Sequence, residues 1–385
     1  FVSSGADAVM AAVLASVGTA AVAALRARSR SPARARQNPL GQERGRVPST
    51  GSTSQAVVPH FEAKPGQPLG PKGRYVVRRL IGEGTFGRVL SCVDTEKREV
   101  VAVKVVKGVQ RYCDYAEAEA EVLREIQRCD PARTSRCVRL RDAFLHSRHN
   151  YCLVFDRLGA SLHEFMVKQC SQGLLLADVR SIAKQLVQCT CFLHGLGLTH
   201  TDLKCRNVML RDPRFDLVPL PRAKGAETRK PVCNKIVVID FGGALFASER
   251  GDGKIGTRHY RSPEVIIGLP WNEKVDVWAV GCLVALTYLG FRPICASEDL
   301  EHLALMERFL EVEIPRHLAR EALRRGSASG TFAKNGRLDW PKRAPDQESI
   351  DRVERARPLR DQVRGHHGAL LEFLEAVLRL DPAQR

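Results

Sequence analysis

The chain has 385 residues, 44% of them hydrophobic and 27% charged, with a formal net charge of +17. That length is too great for one small core and suits two lobes plus a tail, while the ordinary apolar content excludes a wholly disordered chain. Six of the excess positive charges lie in the first 72 residues and eleven in the rest, a balance that favours acidic partners such as nucleotide phosphates, nucleic acid or anionic lipid, or serves solubility alone.

The first residue is Phe, so the natural start is expected to lie upstream. Residues Ala8–Leu25 form an uncharged, Ala-rich run at the lower length limit of a membrane span. It is only weakly apolar, so a membrane role is not expected, and part of a signal or transit segment is the other reading. RARSRSPARAR follows at 26–36, then a Gly/Ser/Pro/Gln-rich stretch. Residues 1–72 are expected to be a disordered basic tail. Twelve cysteines are scattered. The closest pair, Cys189-x-Cys191, lacks a second pair at zinc spacing, which predicts free thiols in a reducing compartment.

From Gly73 the pattern changes. RYVVRRLIGEGTFGRVLSCV and EVVAVKVVK are β-branched runs that predict antiparallel strands. DYAEAEAEVLREIQ predicts a helix, and YCLVFDRL a further strand. After Gly159 helical patterns dominate, among them SLHEFMVKQ, LADVRSIAKQLVQCTCFLHGLG and KVDVWAVGCLVALTYL. The expected fold is α+β and bilobal, with a small antiparallel β-rich lobe and hinge over 73–158 and a larger helical lobe over 159–385. Residues 211–235 and 326–358 are polar and predict surface excursions. EHLALMERFL at 301–310 has the spacing of a buried amphipathic helix.

Four motifs carry chemistry. Gly82-Glu83-Gly84-Thr85-Phe86-Gly87-Arg88-Val89 has glycines that bring backbone N–H groups close to phosphate oxygens. A dinucleotide-binding fingerprint shares this spacing but needs a helix directly after it. Here a strand follows, which predicts a glycine-rich hairpin flap. Lys104 stands fifteen residues beyond Val89 in VAVK. Glu119 is a candidate partner that would hold it toward the α/β-phosphates; Glu117 and Glu121 compete, and a solvated strand-end lysine is the plain alternative. In His200-Thr201-Asp202-Leu203-Lys204-Cys205-Arg206-Asn207, Asp202 can accept the proton of an attacking hydroxyl. Lys204 can neutralise the transferred phosphoryl group, and Asn207 can ligate magnesium. Asp240-Phe241-Gly242 follows IVVI and adds a carboxylate as a second metal ligand.

Taken in order, these motifs resemble the protein-kinase signature over residues 73–385. Ser262-Pro263-Glu264 is similar to the family's Ala-Pro-Glu, and Arg385 to the arginine that pairs with that glutamate. The resemblance implies that ATP contacts Ile81, Gly82, Gly84, Gly87, Val89, Ala102, Lys104, Glu119, Phe155, Asp156, Leu158 and Leu210. Phe155 would be the gatekeeper, Asp156 to Leu158 the hinge, and Leu123, His200 and Phe241 an apolar spine. Asp202, Lys204, Lys104 and Thr257 would be catalytic, with Thr257 bonding Asp202 and Lys204. Asn207 and Asp240 would hold Mg2+.

EHLALMER resembles the EHLAMMER signature of the LAMMER, or cdc-like, dual-specificity kinases, with Leu305 in place of a Met. RYCDYAEAE, HTDLK, GTRHYRSPEV, YLGFRP and RLDW are further resemblances to that branch. It implies phosphorylation of Ser, Thr and Tyr in Arg/Ser-rich splicing proteins, a monomer in the nucleus that needs no direct nucleic acid, and a hairpin insert at 211–235. Two departures stand out. Cys205-Arg206 replaces the family's Pro-Glu, and a like charge about 4 Å from a substrate arginine costs on the order of 1–4 kcal/mol at surface dielectrics. The stretch also stops before the family's last large-lobe helix, so a C-terminal truncation that weakens stability is expected. Residues 243–256 offer only Ser248 as a hydroxyl, so a constitutively competent enzyme is expected. The rival readings are an inactive pseudokinase scaffold, a nucleic-acid-binding protein and a related dual-specificity kinase with other substrates.

Overall fold

The β-branched runs form one antiparallel sheet of six strands: β1 (Pro68–Leu69), β2 (Tyr75–Gly84), β3 (Gly87–Asp94), β4 (Glu99–Val106), β5 (Leu140–His146) and β6 (Asn150–Asp156), in the order β1-β2-β3-β4-β6-β5. This is a computed structural model, and it describes residues 59–385 apart from 148, 168–169 and 252. The Ala-rich run and the Arg-Ser stretch lie outside the described residues. Among the described residues no helix is long and apolar enough to cross a membrane.

Alternation along β4 sets the upper wall of the cleft. Val101, Val103 and Val105 are fully buried in an outer core with Leu69, Tyr75, Leu90 and Phe144. A strand turns successive side chains to opposite faces, so Ala102 and Lys104 point the other way. Helix α1 (Gln110–Cys129) lies against the sheet and buries Ala116, Glu119, Ala120, Leu123 and Ile126 at helical spacing.

Two sequence expectations need correction here. Residues 59–72 belong to the fold rather than to a free tail. Val77 N donates to Gln67 O at 2.9 Å, Leu69 is fully buried, and Phe61 and Ala63 pack against the outer core. Strand β5 has no strand pattern in the sequence, because RLRDAFLH mixes charges with its two buried apolar residues, Leu140 and Phe144.

The large lobe contains α2 (Leu162–Val167), α3 (Leu176–Gly195), α4 (Pro263–Ile266), α5 (Lys274–Leu289), α6 (Asp299–Leu310), α7 (Arg316–Arg325), α8 (Gln347–Arg355), α9 (Leu359–Gln362) and α10 (Gly368–Val377). Helix α5 is apolar on nearly every side, the pattern of a helix enclosed by others, and it packs against α3 and α10. Short antiparallel pairs frame the loops between them: β7 (Leu198–Thr199) with β12 (Leu245–Phe246), and β8 (Val208–Leu210) with β11 (Ile236–Val238).

The insert at 211–235 is a hairpin of β9 (Phe215–Pro219) and β10 (Glu227–Pro231). It is more than a surface excursion. Thr228 is fully buried and donates to Gly173 O at 2.8 Å. Arg222 donates to the carbonyls of Leu174, Gln172 and Tyr288 at 2.6–2.7 Å and lies over the Tyr288 ring. Residues 326–358 are likewise not all surface. Helix α8, capped by Asp346 accepting from Ser349 N at 2.7 Å, packs on α6. There Arg352 meets Glu301, the first residue of EHLALMER, which has no exposed surface. The buried amphipathic helix is therefore present, and its glutamate is held by an internal ion pair. Arg385 closes the lobe by donating to both carboxylate oxygens of buried Glu264 at 2.8 and 2.7 Å.

Candidate active site

The glycine-rich segment forms the expected hairpin, with Gly84 opposite Gly87 in register. Its glycines have different causes. A Cβ at Gly87 would sit 2.2 Å from Val105 O, so the adjacent strand forbids a side chain there. A Cβ at Gly84 would meet nothing within 4 Å. The fold does not require glycine at 84, and the open backbone suits close approach of a phosphate.

Register carries the flap's geometry to the lysine. Val89 pairs with Lys104 across β3 and β4, and Ala102 pairs with Phe155 across β4 and β6. Lys104 Nζ donates to Glu119 Oε2 at 2.7 Å and lies 3.6 Å from Asp240 Oδ1. Of the three glutamates that the sequence left open, Glu119 is therefore the partner; Glu117 and Glu121 are exposed. Burial works against the charge on Lys104, but the carboxylates of Glu119 and Asp240 outweigh it and raise its pKa. Glu119 reaches the lysine and is itself buried, so it holds the lysine and offers little surface of its own to a ligand.

Below the cleft, Asp202 sits between two residues that supply three donors. Its Oδ1 accepts from Thr257 N at 2.9 Å and Thr257 Oγ1 at 2.8 Å, and its Oδ2 accepts from Lys204 Nζ at 2.5 Å. Lys204 also donates to Thr257 Oγ1 at 3.1 Å. Asn207 Nδ2 donates to Asp202 O at 3.0 Å and lies 3.5 Å from Asp240 Oδ2. Burial opposes ionisation of Asp240, yet Lys104, His200 and Lys204 more than offset it and hold its carboxyl below the ordinary range.

Asp276 at the start of α5 anchors this loop. It accepts from His200 N at 2.8 Å, Thr201 N at 2.9 Å and His194 Nε2 at 3.1 Å. Those bonds fix the left-handed backbone of Thr201 (φ 71°), which in turn donates Oγ1 to Gly243 O at 2.7 Å. The sequence placed Asp276 only on a core helix; its anchoring role depends on a contact across 75 residues. The His200 and Phe241 rings lie 4.9 Å apart with their planes tilted by 58°, and Phe241 shares the large buried core with Leu123.

Ile81, Phe155, Asp156 and Leu158 are partly exposed beside the hinge. The Asp156 side chain is held by Arg141. Strand β6 ends at Asp156, so the backbone of 157–158 lies past the ladder. Leu210 does not face the cleft as the resemblance implies. It is fully buried in the large-lobe core and has no surface for a ligand. Met209 is the partly exposed residue of β8, and alternation puts it on the opposite face.

A β-sheet flap, a lysine–glutamate pair beneath it, and an Asp/Lys/Asn loop facing a second aspartate define a protein kinase. The protein kinase domain family matches residues 75–385. Serine/threonine-protein kinase AFC2 of Arabidopsis thaliana is 37% identical over 337 residues, covering 85% of this chain and 77% of its own. Human dual specificity protein kinase CLK1 is 35% identical over 316 residues, covering 81% and 63%. A crystal structure of another kinase domain superposes with a TM-score of 0.80 at 33% identity, covering 85% of this chain and 95% of that one. The chain belongs to the protein kinase family, in its LAMMER, or cdc-like, dual-specificity branch.

Proposed function

We propose that the chain transfers the γ-phosphoryl group of ATP to protein hydroxyls, with Asp202 receiving the acceptor's proton. The observation that carries this is the pinned Asp202. Three donors hold its carboxylate while leaving lone pairs for a substrate hydroxyl. Proton acceptance by a positioned base typically contributes about 10²–10⁴-fold. Lys204 is one short step away and faces charge that develops on the transferred group. Lys104, kept cationic by two carboxylates, orients the phosphates.

The family implies ATP, and the donors here fit Mg2+. Asp240 and Asn207 are neighbours, with Asn207 Nδ2 3.5 Å from Asp240 Oδ2, and their side chains carry hard oxygens, too few for an all-protein cage and suited to completion by phosphate oxygens. When bound, magnesium would neutralise charge on those phosphates.

An inactive scaffold would lack one of Lys104, Asp202, Asn207 or Asp240, and all four are present and converge. Competence without loop phosphorylation is supported by Thr201. It occupies the arginine position of the family's His-Arg-Asp and ties to Gly243 through a neutral hydrogen bond, so no phosphate is needed to balance a cation there. The stretch from 243 to 258 is further held by Lys254 and Arg258 on Asp299 and by Arg250 on Glu273. Nuclear Arg/Ser-rich proteins are the substrates that the family resemblance supports. Arg206 stands against them, because it is an exposed cation in the loop that presents Asp202.

The test is incorporation of labelled γ-phosphate from Mg-ATP into a general protein acceptor. Turnover by the wild type, and a loss of at least about 100-fold in Asp202→Asn, are expected. No label from folded protein would overturn the reading.

A further inference from the structure

Charge near the catalytic loop is unevenly satisfied. Arg206 is exposed four residues after Asp202 and has no hydrogen-bond or carboxylate partner among the described residues. The residue before it is firmly placed. Cys205 O accepts from His163 N at 3.1 Å, and Cys205 Sγ accepts from the Tyr260 hydroxyl at 3.0 Å. Arg292, after α5, is also exposed and unpaired among the described residues. It lines one small cavity with His259 and Tyr260. Both arginines act on His163 at the start of α2: burial first, then their two charges, hold that imidazole below its ordinary value. Tyr260 joins the two: its hydroxyl bonds Cys205, the residue before Arg206, and it lines the same small cavity as Arg292.

The carboxylates beside this patch are already engaged. Glu164 accepts from Ser161 N at 2.9 Å and from Ser161 Oγ at 3.0 Å. Asp299 holds Lys254 and Arg258. His259 lies next to Arg258, and burial first, then the charges of Arg292 and Arg258, hold its imidazole below the ordinary value. Among the described residues nothing neutralises the two guanidinium groups. A guanidinium's planar set of donors matches carboxylate and phosphate oxygens.

We propose that Arg206 and Arg292 select substrates bearing an anionic side chain, carboxylate or phosphate, close to the acceptor hydroxyl, and disfavour arginine there. This rests on the kinase reading and replaces the substrate charge expected from the family. Solvation of two surface arginines would leave peptide choice indifferent to them, so the alternatives separate cleanly.

The experiment uses Ser peptides that carry Asp, phosphoserine or Arg, one position at a time, at the three positions before and after the acceptor. The readout is the ratio of kcat/KM for the anionic to the Arg peptide, for wild type, Arg206→Glu and Arg292→Glu. A ratio cancels any general loss from the substitution itself. Wild type is expected to favour the anionic peptide by about tenfold or more at its best position, with the preference shrinking toward about 0.3 M salt. Arg206→Glu is expected to invert the ratio, and Arg292→Glu to lower it. A larger ratio for phosphoserine than for Asp identifies a previously phosphorylated neighbour as the preferred anion, and equal ratios identify acidic sequence generally; both support the proposal. A wild-type preference for Arg, or charge-reversal variants whose ratios match the wild type, would overturn it while leaving the kinase reading intact. Failure to label any peptide or a general acceptor would remove the kinase reading and this proposal together.

Discussion

Replacing Arg352 by Ala probes the contact that explains the glutamate of EHLALMER. Glu301 is fully buried, its Oε1 is bonded to Arg352, and its Oε2 has no hydrogen-bond partner among the described residues. Truncation leaves a buried carboxylate uncompensated, a change that typically costs about 3–5 kcal/mol. The Arg352 side chain is 38% exposed and also reaches Glu348, so water can enter and the lower end of that range applies. A loss of about 3 kcal/mol corresponds to a fall in Tm of roughly 6–12 °C, at about 2–4 °C per kcal/mol for a large domain. Thermal and urea unfolding of the single variant should show this. Adding Glu301→Gln should recover most of it, because a neutral amide needs no cation. A single variant whose Tm stays within about 1 °C of wild type, where even 1 kcal/mol should be visible, would refute the reasoning.

Other outcomes follow from the same geometry. His302 is 1% exposed and neither ring nitrogen has a hydrogen-bond partner among the described residues; burial, then the charges of His259 and Arg258, lowers its pKa to about 3, with Asp299 opposing. The unfolded chain takes up that proton near pH 6.5, so stability is lost as pH falls below about 6.5, by about 2 kcal/mol between pH 7 and 5. Urea midpoints at the two pH values should show the loss, and His302→Leu should flatten it. Lys104→Met should lower kcat by about 10²–10³-fold in a peptide assay, as for loss of one preorganised electrostatic group. Gly87→Ala should destabilise the small lobe measurably in thermal unfolding, since its Cβ would meet Val105 O at 2.2 Å. Phosphatase-treated enzyme and Ser248→Ala should retain wild-type turnover; a required phosphate on Ser248 or Thr257, found by mass spectrometry, would contradict constitutive competence.

The lobes and the catalytic constellation could be read from the sequence because each motif is local. Hairpin glycines, a strand-end lysine and HTDLKCRN each place their groups within a few residues. What could not be read depends on long-range contacts. Choosing Glu119 over Glu117 and Glu121 needs the packing angle of α1. Asp276 becomes an anchor only when α5 meets a loop 75 residues earlier in the chain. Polarity misled the reading of 326–358, because one arginine there serves a buried glutamate of α6. The same cause hid β5 and the docking of residues 59–72, whose apolar contacts are few and widely spaced. Leu210 was misplaced by a single position on a strand, which is enough to reverse the face.

The most direct measurement is transfer of labelled phosphate from Mg-ATP to a Ser peptide by folded wild type and Asp202→Asn side by side. Label with wild type and a rate at least about 100-fold lower in the variant is the expected result. Equal rates, or no transfer by either, would contradict the role assigned to Asp202.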